Sequence, residues 1–330
     1  MLPDHCHRRI DVASAADAVA VRDLAAALAE SVLSAADAER LDAMVGALAG
    51  HVLARSGGML LLRRWGRREG VECLACDRDT GADASPDSDG VTLARACADR
   101  FAAHATPGVG LTILARVLRP GCSDEPAVGA PAIAGVAMLP KPGAAACADG
   151  WVLRSTAGAD GTGSGVALLV DGAEGAGALA RRAEAVVAAT APGLSPQMVI
   201  GAIRRDAGEG ADVTAAVLRF DADSVDYTAL GTVAGAVVRR HHVTSLAARW
   251  AMVGYNPQMP ASVHLLWQPG DHVVLHSDGC ARLPVLFIER GLHDVDPTLA
   301  AAVLLRDGAT QDDDRTVIVL RNIAGAVQRD

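Results

Sequence analysis

The sequence predicts an α+β protein of two units, and three observations support this. Capped helical segments alternate with short apolar runs up to residue 118, which predicts an α/β sandwich whose helices cover one sheet. The stretch 119–146 is rich in Pro, Gly and Ala, which is typical of a boundary. Beyond it, many extended runs and few helical segments predict a β-sandwich flanked by helices. We therefore expect a domain over 1–119, a linker over 120–132 and a second domain over 133–330.

Two capped helices begin the first unit. Small apolar residues recur at helical spacing over 14–31, and Ser14 stands three residues before an acid, as in a capping box. Ser34 begins a second segment in the same way. That segment is expected to continue to about Arg55, because two glycines follow it.

The rest of the first unit alternates between strands and helices. Apolar runs predict strands over 59–65 and 71–77. A helical segment is expected over roughly 91–103. The stretch TPGVGLTILARVL (106–118) predicts a glycine turn that opens another helix.

Extended runs dominate the second unit. Helices are expected over about 175–190, over about 196–206 with Ser195 as the N-cap, and briefly after Pro297. The predicted strands are IAGVAML (133–139), WVLRS (151–155), GVALLVD (165–171), DVTAAVLRFD (212–221), SVDYTAL (224–230), SVHLLW (262–267), HVVLHSD (272–278) and RTVIVLR (315–321).

Charge and hydropathy exclude some classes of function. The net charge of −9 argues against nucleic acid as the main partner, since such proteins usually carry a basic surface. The chain has no apolar run of 18 residues and no apolar signal-peptide core at its start, so we expect a cytoplasmic protein without a membrane partner.

The seven cysteines are odd in number and scattered, which favours reduced thiols. Cys73 and Cys76 form a CxxC without a second pair, so buried strand cysteines are favoured over a zinc site. His5, Cys6 and His7 could bind a metal, but a frayed polar terminus is the simpler interpretation.

Acids recur at strand ends in the second unit. Asp171 and Asp278 each follow an apolar strand and precede a glycine, Asp149 precedes another strand, and acids 312–314 precede the last one. Each could simply be a turn residue. If the four ends converge, however, like charges would need a counter-ion. A hard divalent cation such as Mg²⁺ or Mn²⁺ takes carboxylate, carbonyl and water ligands, and two such ions can activate water and hold a phosphoryl group.

CADGW (147–151), ALLVDGAEGAG (167–177), GDHVVLHSDG (270–279) and DDRT (313–316) together resemble the ordered motifs of metal-dependent type 2C (PPM) serine/threonine phosphatases, and in particular the bacterial SpoIIE/RsbX branch that controls sigma factors by partner switching. The resemblance covers about 130–322. It implies hydrolysis of phosphoserine or phosphothreonine on a regulatory partner protein, such as an anti-sigma-factor antagonist, with two Mn²⁺ or Mg²⁺ ions.

The resemblance also assigns residue roles. Asp171 would bridge both metal ions and Gly172 would supply a carbonyl oxygen. Asp278, Asp313 and Asp149 would complete the ligands, and Asp171 and Asp278 would be the catalytic pair. The family usually continues its DG motif with Gly-His-Gly, whereas 173–176 read AEGA, which puts turnover in question.

The first unit, over about 8–118, resembles the GHKL ATP-binding fold of anti-sigma-factor kinases. DRDTG (77–81) is similar to the box whose acid binds adenine, and TPGVGL (106–111) is similar to the phosphate-side glycine turn with a helix N-terminus behind it. The resemblance implies ATP or ADP as a ligand, with these nucleotide-binding residues: Asp77, Gly81, Gly108 and Gly110.

The kinase machinery departs from that pattern. Ala47 and His51 stand where the family carries its catalytic Glu and Mg²⁺-binding Asn, and Asp79 replaces a glycine of the box. We therefore expect no kinase activity, and a docking or nucleotide-sensing role. His51 is interpreted as a packed surface-helix histidine rather than a ligand.

Three hypotheses remain open from the sequence. The first is a phosphatase joined to a degenerate ATPase-like module, the second a pseudoenzyme in which both domains only bind partners, and the third a nucleotide sensor that gates the second domain. The stretch RRHH (239–242) could steer phosphate, but an exposed hairpin is favoured. His276 could assist as a general acid, but a satisfied core histidine is favoured.

Overall fold

The computed structural model of the protein describes residues 6–66, 69–78, 88–144, 147–158, 163–172, 177–189, 194–207, 213–246, 261–280, 282–310 and 312–325. Contacts divide the chain after Glu125 into two compact units. His5, Asp79, Gly81 and the four residues 173–176 lie outside the described residues.

The first unit contains an antiparallel sheet with the strand order β1-β2-β3-β5-β4. Apolar side chains of the helices pack on one face of this sheet and form its core. In chain order its elements are β1 (Arg8–Val12), α1 (Ala15–Ala29), α2 (Ala35–Ala54), β2 (Gly58–Trp65), β3 (Gly70–Asp77), α3 (Asp89–Cys97), β4 (Arg100–Thr106) and β5 (Gly110–Leu118).

The predicted helix starts are confirmed. The Ser14 hydroxyl accepts the Asp17 N–H, and the Asp17 carboxylate accepts the Ser14 N–H at 2.8 Å, which completes the capping box. Ser34 caps α2 through the Asp37 N–H at 3.2 Å. These contacts are local in sequence, which is why the sequence alone could locate them.

Two predicted helices of the first unit are wrong in part or in whole. The helix predicted over 91–103 ends at Cys97, whose carbonyl accepts hydrogen bonds from Arg40, and the chain continues as β4. The segment after the glycine turn is β5, not a helix, because it pairs with β4 on one side and with β3 on the other. Tertiary pairing overrides local propensity here.

The predicted frayed N-terminus is also wrong from residue 6 onward. Cys6 and His7 are buried, and His7 Nε2 lies 3.0 Å from Glu72 Oε1. Burial alone would raise the pKa of Glu72, but the charges of Arg63 and Arg116 and the His7 contact hold it well below its ordinary value. Cys73 and Cys76 lie buried in β3 as structural cysteines.

The second unit is a sandwich of two antiparallel sheets, with strand orders β13-β10-β9-β8-β7 and β12-β11-β14-β15-β6. In chain order its elements are β6 (Ala132–Leu139), β7 (Gly150–Thr156), β8 (Ser164–Gly172), α4 (Gly177–Ala189), α5 (Pro196–Ala207), β9 (Val213–Phe220), β10 (Ser224–Leu230), β11 (Ala234–Arg239), β12 (His242–Leu246), β13 (Val263–Leu266), β14 (His272–His276), α6 (Leu283–Glu289), a 3-10 turn (Leu292–Asp294), α7 (Pro297–Gly308) and β15 (Arg315–Asn322).

Apolar side chains from both sheets meet between them, including Leu169, Tyr227 and Ile318. On the outer face of the sheet that contains β8 and β9, α4 and α5 cover the alternate side chains of these two strands. Gly135 of β6 lets α7 approach the other sheet, since an added Cβ would lie 2.0 Å from the backbone N of Thr298. The predicted α+β class and helix-flanked β-sandwich are therefore confirmed.

Smaller predictions in this unit are confirmed or extended. The hairpin at 239–242 joins β11 to β12, with Arg240 and His241 exposed at its turn. The helix after Pro297 has 12 residues and Asp296 caps it. The helix α6 was not predicted. Among the described residues, no helix is long and apolar enough to cross a membrane.

Candidate metal centre

Strand register brings the predicted acids to one end of the sandwich. Gly150 at the start of β7 pairs with Val170 near the end of β8, so Asp149 and Asp171 lie at the same edge of one sheet. In the other sheet, His276 at the end of β14 pairs with Val317 near the start of β15. Antiparallel pairing thus gathers strand ends that are more than 100 residues apart in sequence.

Asp171 connects the two sheets at this end. Its Oδ2 accepts the backbone N–H of Asp278 at 3.3 Å and the Thr232 hydroxyl at 3.1 Å. Burial first, and then the charge of Asp278, raise the pKa of Asp171 from its ordinary 3.8 to about 7. The structure therefore brings Asp171 and Asp278 together. In the contacts described, no basic side chain compensates the repulsion between their two carboxylates. Gly172 is the last residue of β8.

Two threonines orient Asp171, and sequence reasoning missed both. The Thr214 hydroxyl lies 3.3 Å from the Asp171 carbonyl oxygen and 3.2 Å from the hydroxyl of Thr232. Thr232 stands in the turn between β10 and β11, and no pattern in the sequence distinguishes it. Only the cross-strand register of β8 and β9 places Thr214 opposite Asp171.

Asp149 is 3% exposed, and its two oxygens differ. Oδ2 accepts the Thr316 hydroxyl at 2.7 Å, whereas Oδ1 is buried without a hydrogen-bond partner in the described part of the chain. Burial, and then the charge of Asp171, raise the pKa of Asp149 well above its ordinary value. An unpartnered buried carboxylate oxygen is costly unless a cation or a proton compensates it.

The turn after β14 requires a glycine. A Cβ on Gly279 would lie 2.1 Å from the carbonyl oxygen of Asp314. The carbonyl oxygen of Gly279 itself accepts the backbone N–H and the hydroxyl of Thr310. This close approach fixes the turn that carries Asp278.

The two acids of DDRT have different surroundings. Asp313 is exposed, and its Oδ1 accepts the N–H of Asp314 at 2.8 Å. Asp314 is buried, and its two oxygens accept the N–H groups of Lys141 and Ala148, each at 2.6 Å. Asp314 therefore holds the loop that leads to Asp149, a structural role that the sequence analysis did not assign.

The acids fit a divalent cation by their chemistry. Every donor is an oxygen, one buried oxygen is unpartnered, and two neighbouring carboxyl groups have raised pKa values. Within the described ranges, no three His, Cys, Asp or Glu side chains form one closed metal cluster. Mg²⁺ commonly binds through one or two carboxylates and several waters, so this arrangement suits it.

His276 is the satisfied core histidine that the sequence favoured. Its Nδ1–H donates to the carbonyl oxygen of Ser277 at 2.9 Å, and the ring is buried. Burial lowers its pKa.

The predicted nucleotide residues of the first unit are brought together only in part. Asp77 is buried, and its Oδ1 accepts the N–H of Leu111 at 2.7 Å. Gly110 lies against it, since a Cβ there would be 2.4 Å from Asp77 Oδ1. Gly108 has φ +71 in the β4–β5 turn, and the strand β5 stands where a helix N-terminus was expected.

His51 and Arg55 occupy the other side of Asp77. His51 Nε2 lies 3.3 Å and Arg55 Nε 3.4 Å from Asp77 Oδ2. His51 Nδ1 is also 2.9 Å from the Ser88 hydroxyl. The prediction that His51 packs is confirmed, but the residue is buried and not at the helix surface.

Comparisons with known proteins give structural neighbours only. No protein-family model matches this chain, and no curated protein matches it. A solved structure described as "The bacterial stressosome: a modular system that has been adapted to control secondary messenger signaling" shares its fold, at a TM-score of 0.50 and 20% identity. The match covers 58% of this chain and 99% of that one.

Other structural neighbours include RsbX and a PP2C phosphatase domain. RsbX in complex with magnesium has a TM-score of 0.47 at 16% identity, covering 58% of this chain and 95% of that one. The PP2C phosphatase domain of SpoIIE from Bacillus subtilis, with a fragment of its regulatory domain, has a TM-score of 0.48 at 15% identity, covering 79% of this chain and 81% of that one.

Proposed function

We propose that the second unit is a metal-dependent phosphatase that removes phosphate from serine or threonine of a regulatory partner protein. One observation carries the proposal: the buried, unpartnered Oδ1 of Asp149 lies at the strand edge where Asp171 and Asp278 also converge. A divalent cation would neutralise this buried charge, whereas an acid whose only role is to form a turn would need no such cation.

For the residue roles we propose those that the resemblance to the type 2C phosphatases implies. Asp171 would hold two Mg²⁺ or Mn²⁺ ions together with the Gly172 carbonyl, Asp149, Asp278 and Asp313. When bound, such ions supply Lewis-acid activation of water and of the phosphoryl group. Thr232 donates to the Asp171 carboxylate, and Thr214 contacts both Thr232 and the Asp171 carbonyl oxygen, so that the carboxylate is held in one orientation and little reorganisation is needed.

The partner class rests on the neighbours in fold. They include a bacterial stressosome structure, RsbX, and the RsbU and RsbW domains of a Mycobacterium tuberculosis protein. We propose that this chain acts in the same kind of partner-switching control, on a phosphorylated antagonist of an anti-sigma factor. Its acidic net charge suits a protein partner better than a nucleic acid.

We propose that the first unit, over about 1–119, is a degenerate GHKL-type domain that serves as a docking or sensing module without kinase activity. Ala47 cannot act as a general base, and His51 is committed to contacts with Asp77 and Ser88. ATP or ADP remains a candidate ligand of this unit. A thermal shift with ATP, lost in Asp77→Asn, would identify it as a nucleotide sensor.

A pseudophosphatase scaffold is the second candidate. The segment 173–176 reads AEGA where the family carries Gly-His-Gly, directly after the proposed metal-bridging residues. In this case the acids would bind metal and the partner, and no phosphate would be released.

The experiment is Mn²⁺-dependent phosphate release from a phosphoserine peptide by the full chain, measured beside Mn²⁺ binding by calorimetry. Asp278→Asn tests the centre. Asp223→Asn, in an exposed turn, is the matched control. Activity lost only in Asp278→Asn supports the phosphatase, and metal binding without activity supports the scaffold. Absence of both activity and Mn²⁺ binding would indicate that the acids are only turn residues.

A further inference from the structure

A cavity lies at the opposite end of the sandwich from the acids. It has a volume of about 810 Å³ and is lined by the β11–β12 turn, the turn before β14, the 3-10 turn after α6 and the end of β15. Asp278 lies six positions after His272 along β14 and its turn, so at about 3.3 Å per residue the two ends are roughly 20 Å apart. We call this cavity the distal pocket.

Arginines supply the charge of the distal pocket. Arg240 and Arg321 line it, and neither has a hydrogen-bond or ion-pair partner among the residues that the structure describes. Asp271 also lines it, but Arg239 lies 3.4 Å from its carboxylate and compensates it. Two uncompensated arginines therefore face one remaining acid, Asp294, in a protein whose net charge is −9.

Apolar groups form part of the same wall. Ile288, Ile323 and Pro269 line the pocket. His293 also lines it, and its ring packs edge-on against His272 at 5.8 Å between centroids and against Phe287 at 5.2 Å. Burial and the nearby His293 and Arg321 lower the pKa of His272 to about 3, so that ring is neutral at physiological pH.

These features select a class of ligand. Arginine is the side chain best suited to phosphate, because its planar fork donates two parallel hydrogen bonds. A cavity of about 810 Å³ falls within the range of small-molecule sites and is much larger than an inorganic phosphate needs. The apolar wall beside the arginines suits an organic group attached to the phosphate.

We propose that the distal pocket binds an organic phosphate of nucleotide size. Arg240 and Arg321 hold the phosphates, and Ile288 and Ile323 contact the organic part. This proposal assigns a ligand-binding role to the exposed hairpin at 239–242, which contributes no residue to the proposed phosphatase centre. The site is independent of that centre, because it shares no residue with it.

The test is calorimetric titration of the full chain with ADP, whose diphosphate matches two arginines. We expect saturable binding that weakens about tenfold or more in Arg240→Ala and in Arg321→Ala, and less in Arg240→Lys, which keeps the charge. Arg240 is exposed, so its loss should leave the fold intact, and a melting curve of each variant checks this.

Two further variants separate this pocket from other sites. Asp278→Asn and Asp77→Asn should leave ADP binding in the distal pocket unchanged. The proposal is overturned by an absence of saturable binding, by binding lost in Asp77→Asn but kept in Arg321→Ala, or by inorganic phosphate binding as tightly as ADP. Failure of phosphatase activity would not affect any of these outcomes.

Discussion

Neutralising Asp171 should stabilise the metal-free protein, and more so at high pH. The pKa of its carboxyl is about 7 in the folded chain against an ordinary value of 3.8. The folded state therefore binds more protons than the unfolded state between those values, and stability falls as pH rises through this window. At about 1.4 kcal/mol per pH unit, the cost of ionised Asp171 reaches about 4 kcal/mol above pH 7.

The variant Asp171→Asn removes this cost but weakens acceptance from the Asp278 N–H and Thr232, worth about 1 kcal/mol. We expect a net gain of about 3 kcal/mol at pH 8 and close to none at pH 5. Urea unfolding of the metal-free chain at both pH values measures it, with Asp223→Asn as the control. Adding Mn²⁺ should reverse the order, since the proposed centre would bind it through the Asp171 carboxylate, which the variant lacks. Equal destabilisation of Asp171→Asn at both pH values would show that the acid is a structural partner and refute the reasoning.

Three further predictions concern stability. Gly279→Ala places a Cβ 2.1 Å from the Asp314 carbonyl oxygen and should cost about 1–3 kcal/mol in urea unfolding, whereas Gly50→Ala, with nothing within 4 Å, should cost nothing; equal effects would refute the close approach. The buried His272 ring stays neutral in the folded chain while the unfolded one protonates, so the wild type should lose up to about 1.4 kcal/mol of stability per pH unit as pH falls from about 6.5 towards 3. The variant His272→Leu should lack this loss, and an unchanged pH slope would contradict the prediction. Glu72→Gln removes the buried carboxylate that Arg63 and Arg116 contact, although Arg116 keeps Asp124, and should destabilise the first unit by about 3–5 kcal/mol, measured by urea unfolding at pH 7. A change below about 0.5 kcal/mol would show the network to be dispensable.

Two acids of the second unit could be predicted because they share a repeated local pattern. A buried strand that ends in Asp-Gly is visible at Asp171 and at Asp278 without any structure. Antiparallel pairing then needs only the correct strand order to bring such ends together. The supporting hydroxyls were not predictable in this way, because Thr214 and Thr232 reach Asp171 from separate elements and carry no pattern of their own.

The first unit shows where local pattern misleads. The stretch after the glycine turn has the apolar content of a buried helix and also that of a strand, and periodicity alone cannot separate the two. Pairing with β3 and β4 makes it β5. His7 is similar: its polar neighbours indicate an exposed terminus, but Glu72, 65 residues away, gives it a buried partner.

Local sequence was enough to predict the capped helices, most strands, the α+β class and the acids at the strand ends, because each of these depends on residues within a few positions of one another. Long-range contacts, in contrast, set the identity of β5, the burial of His7 with Glu72, the loop-holding role of Asp314 and the distal pocket. Each of these depends on contacts between segments far apart in the chain, and the free energy of such contacts is set by strand register and burial, which no local pattern records.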